Sequence, residues 1–162
     1  MRMRADKSHQ TGTTTVEFAF IGFLLFLILF GTIEVARLMF VMNTLGEMTR
    51  RAARTAVVCP VNHVDIEKIG LINEPGSGDT SRYLNNFTVA NFNVEYLDEF
   101  GAPTTNFPDI DFIRVSIVNY QHQFLVPLFD ITINSPNFTT TLPVESLGYI
   151  PELNTRECFG SA

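Results

Sequence analysis

Residues 18–33 read FAFIGFLLFLILFGTI, sixteen residues without a charge. Nothing else in the sequence is long and apolar enough to wrap such a helix in a soluble core. The segment must therefore find apolar surroundings outside its own chain. Extended back through Val16, it approaches the ~20 residues that a helix needs to cross a hydrocarbon core. A transmembrane segment at about 16–33 is the first expectation. A cleavable secretory signal competes, because Arg2, Arg4 and Lys7 form a basic start. The apolar run is long for such a signal, however, and no A-x-A site comes after it.

The helical pattern continues past the apolar run. Residues 34–57 contain no proline. Leu38, Met42, Leu45, Met48 or Thr49, Ala52 and Ala56 recur at three- and four-residue steps and share one face. Asn43, Glu47, Arg50, Arg51 and Arg54 fall mainly on the other. Glu34 with Arg37, and Glu47 with Arg50 and Arg51, are spaced for side-chain pairs worth a few tenths of a kcal/mol, roughly, on an exposed helix. One helix is predicted from about Thr13 to about Val58, and Cys59-Pro60 ends it because proline disfavours helix in the residue before it. At about 1.5 Å per residue it is far longer than a bilayer needs.

Charge divides at the same place. Residues 1–58 carry seven Lys/Arg against four Asp/Glu, and residues 59–162 carry four against thirteen. An acidic C-terminal part argues against nucleic acid as a partner, because phosphate contacts need clustered Lys/Arg; a solvated acidic surface is the simpler account. The basic start favours a cytoplasmic N-terminus, while Arg50, Arg51 and Arg54 beyond the far end weigh the other way. A long head translocates largely regardless of its charge. Cys59 and Cys158 form no C-x-x-C motif; on an oxidising side of a membrane they would pair, and in a reducing compartment they would be two buried thiols.

The entry to the apolar run is GTTTVEF, residues 12–18. Glu17 places one carboxylate at the mouth of a segment built for lipid. A charge there is costly unless it snorkels, helps the helix N-terminus or meets a partner. Gly12, four residues, Glu17, aromatic Phe18 and a hydrophobic helix together resemble the processing site of type IV pilin-like proteins. More closely, Val16-Glu17-Phe18-Ala19, Phe30-Gly31-Thr32-Ile33-Glu34 and Arg51-Ala52-Ala53-Arg54, in that order, are similar to the TadE-like family of tight-adherence (Flp) pilus systems. The resemblance covers about residues 12–58. Many relatives carry a proline near Gly22–Phe23, and this chain has none.

The resemblance implies a minor pilin or pseudopilin. Residues 1–12 would be a leader, cut by a prepilin peptidase between Gly12 and Thr13. Glu17 and Phe18 would serve subunit assembly, with Glu17 facing the N-terminal amine of a neighbouring pilin-like subunit. Membrane lipid, other subunits and inner-membrane assembly proteins would be the partners. Ala19, Gly22 and Gly31 are small enough for close helix approach, although the last two make no G-x-x-x-G.

Residues 59–162 read as a small β-rich head. A short amphipathic helix is expected at 64–72, a loop at 73–79 and a helical turn at 81–85. Residues 91–96 alternate strictly, with Phe92, Val94 and Tyr96 on one face. Residues 112–120 form the strongest strand candidate. Pro127 makes 124–129 an edge or loop. Residues 131–134 and 138–142 read as short strands joined through Ser135-Pro136. The expected fold is α+β: a long helix whose Leu45, Met48 and Ala52 face packs on a small antiparallel sheet.

No sequence pattern carries chemistry. His9, His63 and His122 have no companions at metal-ligand spacing, and His122 reads as a surface or edge residue. Asp98-Glu99, Asp109 and Asp111 belong to no twelve-residue calcium loop. G-x-S-x-G, P-loop and H-E-x-x-H motifs are absent from the sequence. No enzyme activity and no cofactor are expected. Two readings remain: a pilus-assembly subunit, or a single-pass anchored protein whose acidic head binds a ligand or partner.

Overall fold

The computed structural model of the chain describes residues 11–125 and 131–158. Residues 1–10 of the expected 1–12 leader, with His9, and the 126–129 part of the proline-containing run lie outside the described residues. One helix, α1, spans Thr11–Val58. It begins slightly earlier than the pattern indicates, because neither Thr11 nor Gly12 blocks a helical turn and helix ends vary by a residue or two. It stops before Cys59-Pro60, where the Cys59 N–H still donates to the Thr55 carbonyl at 3.0 Å.

The two halves of α1 have different surroundings. The N-terminal half is long and apolar enough to cross a membrane, and its most apolar window is not covered by the rest of the molecule. Phe18, at its mouth, is 78% exposed. From Val41 onward one face is buried: Val41, Leu45, Met48, Ala52 and Ala56; of the expected face, Leu38 and Met42 are only half-buried, and Val41 stands in the place of Met42. Ala52 and Ala53 are small enough to admit the short helix α2, Asp65–Gly70, against α1. The α2 helix is shorter than the expected 64–72. Val64 stands at its cap, and past Gly70 a turn is closed by the Leu71 N–H on the Glu67 carbonyl.

The head is built on three antiparallel strands: β1 (Phe92–Leu97), β2 (Phe112–Ile117) and, numbered in chain order, β5 (Thr139–Pro143), with β2 central. Val94 faces Val115, and Tyr96 faces Ile113. Ile113, Val115 and Ile117 point into the core against α1, which explains their alternation with half-buried and exposed neighbours. Leu97, on the other face of β1, is buried as well. The 98–111 connection folds back over it, with a bridge from Leu97 to Pro103 and the Asp111 N–H on the Leu97 carbonyl. Residues 82–84 bend and 85–86 turn rather than forming a helical turn: the Ser81 hydroxyl accepts the N–H groups of Tyr83 and Leu84, both at 3.2 Å, as a helix cap would, but Asn86 at φ 57° turns the chain away.

The two short strands β3 (Gln121–Gln123) and β4 (Thr132–Asn134) pair with each other. They continue the β2–β5 ladder. Ser116 faces Thr139 before the break and Gln121 faces Asn134 after it, so the register is unchanged. Two hydrogen bonds bracket the interruption, Ile117 N–H to Phe138 O and Ser135 N–H to Tyr120 O, both 2.9 Å. Between them Asn119 has φ 57°, a left-handed conformation that asparagine tolerates, and Pro136 has no N–H to give. The stretches 131–134 and 138–142 are joined through Ser135-Pro136, as expected, and form one arm of a long interrupted hairpin; on the other arm the expected 112–120 strand breaks after Ile117. A further small hairpin, β6 (Tyr149–Ile150) and β7 (Thr155–Arg156), ends the described chain. Cys59 and Cys158 are disulfide-bonded, with Cα atoms 5.0 Å apart.

Candidate assembly site on the long helix

The residues singled out at the start of α1 lie together on an uncovered stretch of helix. Gly12 and Thr13 occupy its first turns, and nothing lies within 4 Å of where a side chain on Gly12 would begin. Glu17 is exposed, and among the described residues it has no ion pair. Phe18, Phe20, Phe23, Phe26 and Phe30 surround the helix with exposed rings. Gly22 and Gly31 are likewise open to approach. One acidic group, two open glycines and a broad apolar surface are thus left uncovered by this molecule's own head.

The second carboxylate of the helix has the opposite fate. Glu34 is 6% exposed. Its Oε1 accepts from the Arg37 guanidinium at 2.7 Å and from the Leu125 N–H at 3.3 Å. Arg37 also donates to the Gln123 carbonyl at 3.2 Å. The spacing of Glu34 and Arg37 was legible as an exposed helix pair. The structure instead makes it the inner end of a contact between α1 and the chain at the end of β3, Gln123–Leu125, where a desolvated charge depends on its partners far more than at a surface.

His122 completes this cluster and corrects the expectation of a surface residue. It is 2% exposed, its Nε2 stands 3.7 Å from Glu34 Oε1, and Phe124 packs edge-on against its ring. Its Nε2 is buried without a hydrogen-bond partner among the described residues. Burial, and then the nearby Arg37 charge, hold the imidazole below its ordinary pKa, with Glu34 pulling the other way. A single histidine far along the chain gives no spacing signal that would place it beside Glu34.

The remaining pair, Arg51 Nε to Glu47 Oε1 at 3.1 Å, is about half exposed on both sides and carries little energy. Asp98, Glu99, Asp109 and Asp111 line one shallow hollow. There Asp98 is occupied by its own loop, accepting the N–H groups of Phe100 and Ala102. Among the described residues no group of three or more His, Cys, Asp or Glu could hold a metal ion.

The class of protein that this arrangement defines is an α+β head carried on one long helix whose uncovered apolar half is suited to a membrane. Residues 12–54 match the family model described as TadE-like protein, so this helical segment is similar to that family. The match takes in Gly12, Thr13, Glu17, Phe18, Glu34, Arg37, Glu47 and Arg51, and it stops short of Cys59 and the head. No curated protein and no solved structure matches the chain.

Proposed function

We propose that this chain is a minor pilin or pseudopilin of a tight-adherence pilus. In this reading residues 1–12 are a leader, residues 13–58 the assembly helix and residues 59–162 an extracytoplasmic head. The N-terminus is cytoplasmic, the membrane is the inner membrane, and a prepilin peptidase cuts between Gly12 and Thr13. The carrying observation is Glu17: an exposed carboxylate, without an ion pair among the described residues, at the mouth of an uncovered apolar helix in the TadE-like segment. Cleavage creates an amine at Thr13, and Glu17 meets that amine of a neighbouring subunit. In a low-dielectric bundle of helices the pair sets axial register, and losing one member strands the other charge at a cost of about 3–5 kcal/mol.

The first test is the N-terminal residue of the protein isolated from its native host, with and without the prepilin peptidase. Thr13 is expected with the enzyme and the uncut chain without it. A start at Met1 in the presence of the enzyme, or beyond Ile33, leaves the other reading standing: a tether for an acidic head that binds a partner. The second test is Glu17→Ala. Membrane insertion is expected to persist while piliation is lost, and normal piliation would remove the assembly role of the carboxylate.

A further inference from the structure

The interrupted hairpin gives the head a second route to the membrane. Its β2–β5 part packs on α1 beside Leu45 to Ala56, and its β3–β4 part reaches Arg37 and Glu34, nearer the apolar half. The Leu125 N–H on Glu34 and the Gln123 carbonyl on Arg37 fix how far it reaches. A hydrocarbon core of about 30 Å takes about 20 helical residues. Counted from Phe18, just past Glu17, it ends near Arg37; counted from Thr13, it ends near Thr32. Under either count Glu34, and with it the hairpin, lies within about one helical turn of the hydrocarbon edge.

The side chains at that level suit such a place. Leu125 is 70% exposed and Ile131 47% exposed just beyond the last β3–β4 rung, and Val35, Met39 and Phe40 stay exposed on α1 itself. Leu125 and Phe40 line one hollow of about 250 Å³, together with Arg37 and the exposed Tyr83. Tyrosine and arginine beside aliphatic side chains are what the interface between lipid tails and headgroups accommodates. The same contact explains how a carboxylate is tolerated there: the hairpin covers Glu34 and supplies an N–H, so the charge faces protein rather than lipid.

We propose that Leu125 and Ile131, just beyond the last rung of the β3–β4 pair, rest in the interfacial layer of the bilayer that α1 crosses. The head is then docked on the lipid at two points, with its orientation about the helix axis set. The proposal rests on α1 spanning a bilayer, and the test separates the two. The chain contains no tryptophan, so single replacements report cleanly. Phe26→Trp, Leu125→Trp, Ile131→Trp and Phe100→Trp are each placed in the full-length chain and reconstituted in phosphatidylcholine–phosphatidylglycerol vesicles. Phe26 is in the middle of the apolar run, and Phe100 is a highly exposed control in the head.

Quenching by lipids brominated near the tail end is expected for Phe26→Trp. For Leu125→Trp and Ile131→Trp, the expectation is a blue-shifted emission, quenching by lipids brominated near the carbonyl, and loss of most quenching by aqueous iodide. Phe100→Trp should remain open to iodide. If Phe26→Trp is quenched from the lipid but both hairpin probes behave like Phe100→Trp, the second contact does not exist. If Phe26→Trp is not quenched from the lipid, the spanning helix fails and the proposal falls with it.

Discussion

Two glutamates on one helix face opposite problems. Glu17 is exposed at the start of the apolar half, and Glu34 is sealed at its end by Arg37, the Leu125 N–H and His122. Only the Arg37 part of that cluster could be seen in the sequence, as an i, i+3 spacing. The rest depends on a chain reversal 91 residues away that no local pattern encodes. His122 makes the cluster sensitive to pH. Its pKa is depressed by burial and by Arg37, so the unfolded chain binds this proton more readily than the folded one. The stability gained from its being neutral is present above the unfolded value, about 6.5, and is lost as pH falls from there towards the depressed folded value. The slope attributable to this one group is at most about 1.4 kcal/mol per pH unit. Glu34 and Arg37 are the charged groups that face it in the folded protein. Urea unfolding of the detergent-solubilised protein between acid and neutral pH should show His122→Leu losing less stability on acidification than the parent. Parallel pH profiles for the two proteins would exclude this role.

At the scale of elements, the face of α1 that meets the head was readable because packing imposes a period. Leu45, Met48 and Ala52 are fully buried, as their spacing requires. The alternation of Ile113, Val115 and Ile117 likewise marked the central strand. Which strands pair was less legible, since alternation identifies a face and not a neighbour. The joint at Ser135-Pro136 was legible, but the matching break at Asn119, inside the 112–120 candidate, was not, nor was the register that continues across both. The seam between α1 and α2 was hidden too, because it depends on a hydrogen atom at Gly70. A Cβ there would lie 2.9 Å from the Ala52 Cβ and 2.8 Å from the Phe92 ring. The ring can shift, but the Ala52 Cβ is fixed to the backbone of a long helix. Gly70→Ala should therefore destabilise the head by about 1–3 kcal/mol, although alanine is intrinsically the better helix former by up to about 1 kcal/mol. The midpoint of urea unfolding measures the difference. An unchanged or raised midpoint would mean that α2 is free to move away from α1.

For the whole molecule, the long helix alone cannot hold the head in place. The head buries one face of α1, and its last described hairpin, β6–β7, touches the rest through few groups. Arg156 lies over the Phe107 ring at 3.7 Å, and Gly148 has no room for a side chain against Pro60. The Cys59–Cys158 bridge spans 99 residues and ties this end of the chain to the C-terminal end of α1. In the chain-entropy description, closing a loop of that size removes freedom from the unfolded chain worth up to about 4–5 kcal/mol, and residual structure in the unfolded state lowers the realised figure. Reduction, or Cys158→Ser, should lower the stability of the head by about 2–4 kcal/mol while leaving the membrane half of α1 inserted. The effect belongs to the head because both cysteines lie beyond Val58, outside the apolar half and outside the TadE-like segment. Urea unfolding monitored by tyrosine fluorescence, with and without reductant, gives the loss, and carbonate extraction reports membrane retention. If reduction also released the protein from the membrane, the head would be more than cargo on its helix. It would have to contribute to anchoring, and the two-point docking of the hairpin would then be the first place to look for that contribution.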